Sequence, residues 1–112
     1  MILWHNPRCS KSRQALALLE ARGATFAIRA YLDDAPSLAE LHDLQRKLGL
    51  PAIAMMRPKE PRFAEMGLRR DLPDSALLEA MAAEPRLLER PVLIAKDRAV
   101  IGRPPERLQE LL

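Results

Sequence analysis

The stretch His5-Asn6-Pro7-Arg8-Cys9-Ser10-Lys11-Ser12-Arg13-Gln14 separates a very short apolar run, Ile2-Leu3-Trp4, from a strongly helical one, Ala15-Leu16-Ala17-Leu18-Leu19-Glu20. The first run reads as a strand and the second as a helix interior, so the stretch between them is a loop that opens a helix. It carries the one cysteine of the chain. A thiol there faces the unpaired N–H groups of the first helical turn and the positive end of the helix dipole, and both favour thiolate over thiol. Arg8, Lys11 and Arg13 act in the same direction. Together with Ser10 and Ser12 they make the loop too polar for a core, which sets Cys9 apart from the buried, inert cysteine common in intracellular chains. The pattern is a strand, an anion-cradling turn, a nucleophile and a helix start, with His5 upstream of Cys9.

Outward from the loop, the helix runs from about Ser10 or Ser12 to Arg22, where Gly23 suits the C-terminal cap. Phe26 and Ile28 alternate as a second strand. A strand, a helix and another strand within about 30 residues make a right-handed crossover between parallel strands. Ser37-Leu38-Ala39-Glu40 is a capping box, and Leu38, Leu41, Leu44 and Leu48 share one face of a helix ended by Gly49. Pro51, Pro58, Pro61 and Pro73 then cut the chain into short helical pieces around Ala52–Met56 and Phe63–Met66. Asp74 reads as the cap of a helix through Ala83, with Leu77, Leu78 and Met81 inward. Val92-Leu93-Ile94 and Ala99-Val100-Ile101 flank Lys96-Asp97-Arg98 as a β-hairpin. A last helix is expected from about Glu106 to Leu112.

The run His5-x-x-x-Cys9-x-x-x-Arg13 resembles the active-site loop of the glutaredoxin-dependent arsenate reductase (ArsC) family. The likeness continues along the chain through Tyr31-Leu32-Asp33, Arg57 in Met55-Met56-Arg57, Arg90-Pro91 before an apolar strand, and Arg103-Pro104 after a glycine. It implies an α/β, thioredoxin-like fold: a small mixed sheet flanked by helices, in a single domain of residues 1–112, with a helical insert over 51–85 between the second helix and the C-terminal hairpin. It also implies a cis bond before Pro91, beside the cysteine. Cys9 would be the nucleophile, and His5 would help hold it as thiolate. Ser12 and Arg13 match positions close to the thiol; Ser12 would either donate a hydrogen bond to the thiolate or simply cap the helix. Arg57, Arg90 and Arg103 stand where three dispersed arginines would bind the oxyanion. The implied reaction is reduction of arsenate to arsenite. No bound cofactor is implied, and glutathione and glutaredoxin would be the external reductants, since the chain has no second cysteine.

Composition bounds the alternatives. The 112 residues make one domain with one core. A formal net charge of +3, from 18 basic and 15 acidic residues, suits a small anionic ligand and does not demand nucleic acid. No stretch approaches the roughly 20 apolar residues of a membrane span, and no signal peptide is visible, so a cytoplasmic protein with monomer as the default is expected. A lone cysteine excludes an internal disulfide and a cysteine-based zinc site, and His5 and His42 lack metal-ligand company. Two other classes fit part of the pattern. A glutathione-dependent thiol reductase would need Cys9 but not the arginines. A regulator like the Spx proteins, which bind RNA polymerase, typically carries Cys-x-x-Cys, where this chain has Ser12.

Overall fold

In the computed structural model, which describes residues 1–112, the chain forms two compact units: Met1–Asp34 with Arg90–Leu112, and Ala35–Glu89. The first unit is built on a four-stranded mixed sheet of order β2-β1-β3-β4. Its strands are β1 (Ile2–Trp4), β2 (Ala27–Arg29), β3 (Val92–Ile94) and β4 (Ala99–Ile101). β1 runs parallel to β2, with Leu3 opposite Ile28, and antiparallel to β3, with Leu3 opposite Leu93; β3 and β4 form the expected hairpin, with Leu93 opposite Val100. Leu3, Leu93 and Val100 therefore share one face, because partners in register point the same way.

That face is covered by α1 (Ser10–Ala21) and by the C-terminal 3-10 helix Pro105–Leu111. Ala15 and Leu19, one helical turn apart, meet Leu3, Leu93, Val100 and Leu108 in a cluster where every member is buried. The short strands supply little hydrogen bonding of their own, so this apolar burial, about 25 cal/mol per Å², holds the sheet and α1 together. α1 ends as Gly23 allows. The glycine takes φ +67, its N–H reaches Glu20 O, and Ala24 N–H reaches Leu19 O, the paired closure that a left-handed residue after a helix makes.

In the second unit, α2 (Leu38–Leu48) carries the full capping box between Ser37 and Glu40, and packs with α4 (Asp74–Ala83) through its buried Leu41 and Leu44. Leu38, expected on that face, is 36% exposed at the first position of α2, and the burial falls on Leu41 and Leu44. The proline-cut segment forms the 3-10 turn Ala52–Met55 and the short α3 (Pro61–Glu65). Leu77, Leu78 and Met81 of α4 are buried as expected. The cap of α4 differs from expectation: Pro73, extended at ψ 149, occupies the N-cap, and its carbonyl accepts from Ala76 and Leu77 N–H. Asp74 is the first helical residue, and its carboxylate accepts from Gln45 Nε2 at 2.7 Å. The last helix also differs, being 3-10 rather than α. It spans Pro105–Leu111, with Pro104 extended at its N-cap. No helix is long and apolar enough to cross a membrane.

Candidate active site

Asn6 shapes the loop. Its side-chain Oδ1 accepts from Arg8 N–H at 3.0 Å, and its carbonyl accepts from Cys9 N–H at 3.0 Å. These bonds fold residues 6–9 into a turn and leave Cys9 at the N-cap of α1, with φ −96 and ψ 125. Arg13 ties the turn down from outside, donating from Nη1 to Pro7 O at 2.9 Å. The sequence reading did not single out Asn6. The signal was there: an asparagine followed by proline starts turns, and its side chain bonds the N–H two residues on.

Cys9 is half-buried and its sulfur meets donors from two directions. Burial alone pushes its pKa up. Against that act the backbone N–H groups of Ser12 and Lys11 at the start of α1 and the guanidinium of Arg90, and the net result lies below the usual thiol value of 9.0. The sulfur closes no capping bond of ideal geometry, yet the N–H groups stand near enough to favour its charged form. On its other flank Arg103 Nη2 stands 3.7 Å from Sγ. Arg103 is aimed by a second bond, from Nε to Arg90 O at 2.9 Å. Backbone amides and Arg90, rather than the charges of Arg8, Lys11 and Arg13, thus do what the loop's composition suggested.

The two arginines reach the thiol because the hairpin carries them there. Arg90 precedes β3 and Arg103 follows β4, and the bonds Arg90–Pro91 and Arg103–Pro104 are both cis. The first was implied by the resemblance; the second was not expected. Between them Gly102 donates to Pro91 O at 2.8 Å, and a Cβ on Gly102 would stand 3.0 Å from Pro91 and Leu108 carbons. A side chain there would need Pro91 and Leu108 to give way by a few tenths of an ångström, so glycine suits the close approach of the strand end.

His5 and Ser12 form a buried pair beside the loop. Ser12 is fully buried, and its Oγ lies 2.6 Å from His5 Nδ1 while accepting from Asn6 N–H at 3.0 Å. The Oγ keeps its proton and a second lone pair, so the contact with Nδ1 closes with either tautomer of a neutral imidazole. Burial first, and the charge of Arg13 second, lower the His5 pKa below 6.5, which keeps the ring neutral. Its link to the thiol runs through Ser12, whose own backbone N–H faces the sulfur.

Arg57 belongs to the second unit. Its N–H donates to Leu87 O at 2.8 Å and Glu89 N–H donates to Met55 O at 2.9 Å, a two-bond bridge around Met56 and Leu88 that the sequence did not suggest. Its guanidinium pairs with Glu60 at 3.2 Å and Glu89 at 3.9 Å. The structure thus brings Cys9, Ser12, Arg90 and Arg103 together, braces them with Arg13 and His5, and sets Arg57 among carboxylates. No group of three or more His, Cys, Asp and Glu is positioned to hold a metal ion.

A strand, a basic turn with a cysteine at a helix start, and a cis-proline hairpin bearing arginines define a thioredoxin-like protein. The ArsC family model matches residues 4–111, and the chain belongs to that family. It is 49% identical over 112 residues to an arsenate reductase of Neisseria meningitidis serogroup A, covering 98% of this chain and 96% of that one. An arsenate reductase of Haemophilus influenzae is 42% identical, covering all of this chain and 98% of the relative. Among solved structures, an arsenate reductase from Vibrio cholerae superposes with a TM-score of 0.94 at 46% identity, covering 99% and 96% of the two chains.

Proposed function

We propose that this chain is an arsenate reductase in which Cys9 is the thiolate nucleophile and glutathione and glutaredoxin supply the electrons. The observation that carries the reading is the pair Arg90 and Arg103 turned to the sulfur, Arg103 Nη2 at 3.7 Å. A thiolate and a tetrahedral oxyanion repel each other, so they meet only where fixed cations spread the charge of both, and a guanidinium fork holds two oxygens at once.

The chemistry follows. Cys9 Sγ attacks arsenic, an S–As bond forms, and one arsenate oxygen, protonated from solvent, leaves as water. A glutathione thiolate then attacks Sγ. The S–S bond forms as S–As breaks, and the electron pair of the broken bond stays on arsenic, taking it from As(V) to As(III) as arsenite departs. The two sulfurs end as a mixed disulfide. A glutaredoxin thiolate attacks the glutathione sulfur and returns Cys9 as thiolate, a better leaving group for its low pKa. Arg90 and Arg103 hold the oxyanion, His5 and Ser12 keep the N–H groups of α1 on the sulfur, and Arg13 braces the turn. Arg57 enters as the third oxyanion ligand on its place in the family pattern. A reaction that draws on glutathione and glutaredoxin belongs in a reducing compartment, the cytoplasm.

The test is arsenate-dependent NADPH oxidation coupled through glutathione, glutaredoxin and glutathione reductase. Wild type turns over, and Cys9→Ser loses the activity by about a thousandfold or more. Equal turnover in the two proteins removes Cys9 from the reaction.

A further inference from the structure

A cleft of about 250 Å³ opens beside the thiol loop, lined by His5, Asn6, Pro7, Arg8, Ala30, Leu32 and Asp33. Its two walls are pinned by backbone. On one side Asn6 holds the N–H groups of Arg8 and Cys9. On the other, Ala30 O accepts from both Asp33 and Asp34 N–H, at 3.0 and 2.9 Å. The charged heads on these walls are uncommitted. Asp34 is engaged by Arg29 at 3.2 Å, but neither the Arg8 guanidinium nor the Asp33 carboxylate has a hydrogen bond or an ion pair, with each other or with any neighbour. Between them lie the apolar surfaces of Pro7, Ala30 and Leu32.

Opposite charges that line one cleft without pairing suit a ligand that carries both signs itself. The chain's single cysteine makes such a ligand necessary under the reading above, since the second sulfur must come from outside. We infer that this cleft docks the thiol donor: a small thiol peptide bearing an ammonium and carboxylates, such as glutathione, with a carboxylate on Arg8, the ammonium on Asp33 and the peptide chain along Leu32. Arg90 and Arg103, the arginines that face the sulfur, are not among the lining residues. Donor and oxyanion therefore use different side chains and can be bound together. Cys9 does not line the cleft, but Arg8, which does, is its chain neighbour, and under this assignment the donor extends its thiol from the cleft toward Sγ for the attack that forms S–S and releases arsenite. This assignment rests on the proposed reductase reading and names the binding site of its second substrate.

The experiment is an NMR titration with S-methylglutathione, which keeps both charges but cannot react. In the wild type, saturable amide shifts are expected at Asn6, Arg8, Ala30, Leu32 and Asp33. Arg8→Ala and Asp33→Asn should each weaken binding by about three- to tenfold, the range for partly exposed charge-assisted contacts, and Arg8→Lys should hold it within about twofold. In the coupled assay, Arg8→Ala should raise the KM for glutathione while the KM for arsenate stays put. Absence of saturable binding, shifts confined to other residues, or unchanged affinity in both charge variants would overturn the docking site. The two readings fail separately. Binding in the cleft without arsenate turnover would sink the reductase reading, whereas Cys9-dependent turnover with a glutathione KM indifferent to Arg8 and Asp33 would sink the cleft.

Discussion

The unit that holds the thiol pairs some arginines with carboxylates, Arg29 with Asp34 and Arg107 with Glu110, but unlike Ala35–Glu89 it also turns arginines toward a sulfur. In Ala35–Glu89 the guanidinium groups meet carboxylates: Arg57 with Glu60 and Glu89, Arg62 with Glu65 and Glu84, Arg86 with Glu84. In the unit that holds the thiol, Arg103 turns one nitrogen to a backbone carbonyl and another to Sγ, Arg90 also faces the sulfur, and Arg13 grips the carbonyl of Pro7. A guanidinium neutralised by a carboxylate adds little to stability at a surface and binds no further anion well. In the thiol unit a carbonyl positions Arg103 so that another of its nitrogens faces the sulfur, where an incoming oxyanion would also meet it. The difference lies in which acceptor the backbone brings within reach.

The sharpest way to break this comparison is to remove an arginine from each side. Arg103→Ala or Arg90→Ala should lower arsenate kcat/KM by about a hundredfold or more, the usual cost of one fixed oxyanion donor, whereas Arg62→Ala should leave it within about twofold. Arg90→Lys should also lose most of the activity, because an ammonium cannot present two parallel donors. Steady-state kinetics of the four variants decide it. Comparable losses for Arg62 and Arg103 would end the distinction.

Arg57 is the case that sharpens it, being paired with carboxylates yet occupying the third arginine position of the family pattern. Under the proposed mechanism Arg57→Ala lowers kcat/KM by about tenfold or more with thermal stability little changed. An unchanged kcat/KM would leave the oxyanion to Arg90 and Arg103.

Ser12→Ala probes the buried side of the thiol unit. It strips the partner from His5 Nδ1 and Asn6 N–H inside a fully buried site and should cost about 1–3 kcal/mol in chemical denaturation. It should also raise the Cys9 pKa as the first turn of α1 loosens. A stable variant with an unmoved thiol pKa would show that the His5–Ser12 pair does not position the nucleophile.

The smallest effect belongs to the second unit. Arg86 holds the Glu84 carboxyl down to about 2 from 4.5, chiefly through its side-chain hydrogen bonds. A folded-state pKa below the unfolded one adds stability that is complete above about 4.5 and fades as pH falls toward 2. Glu84→Gln should therefore lose up to about 1 kcal/mol at neutral pH, a difference that shrinks below pH 4 in denaturation curves. A constant difference across that range would contradict the pairing.

Local chemistry announced much of this. The strand, basic loop and helix, Gly23 after α1, the Ser37–Glu40 box and the 92–101 hairpin all rest on neighbours in sequence, and each stands as the pattern required. Residues whose role depends on distant partners were harder to read. Ser12 looked like a cap or a donor to the thiolate, but its hydroxyl is set by His5, seven residues back. Pro73 displaced Asp74 from the cap of α4, and Asp74 found Gln45 instead. The bridge of Met56 with Leu88 joins residues from two irregular segments that no periodicity marks. For the candidate site, the pattern named Cys9, Arg57, Arg90 and Arg103, while which of the arginines come to the sulfur depended on the fold.

The most direct test of the account is the pH dependence of Cys9 alkylation, followed by mass spectrometry in the wild type and in Arg90→Ala. The amides of Ser12 and Lys11 together with Arg90 predict a midpoint below 9.0 that rises in the variant. A wild-type midpoint at or above 9.0, unmoved by loss of Arg90, would mean that burial governs the thiol and that no thiolate site is built there.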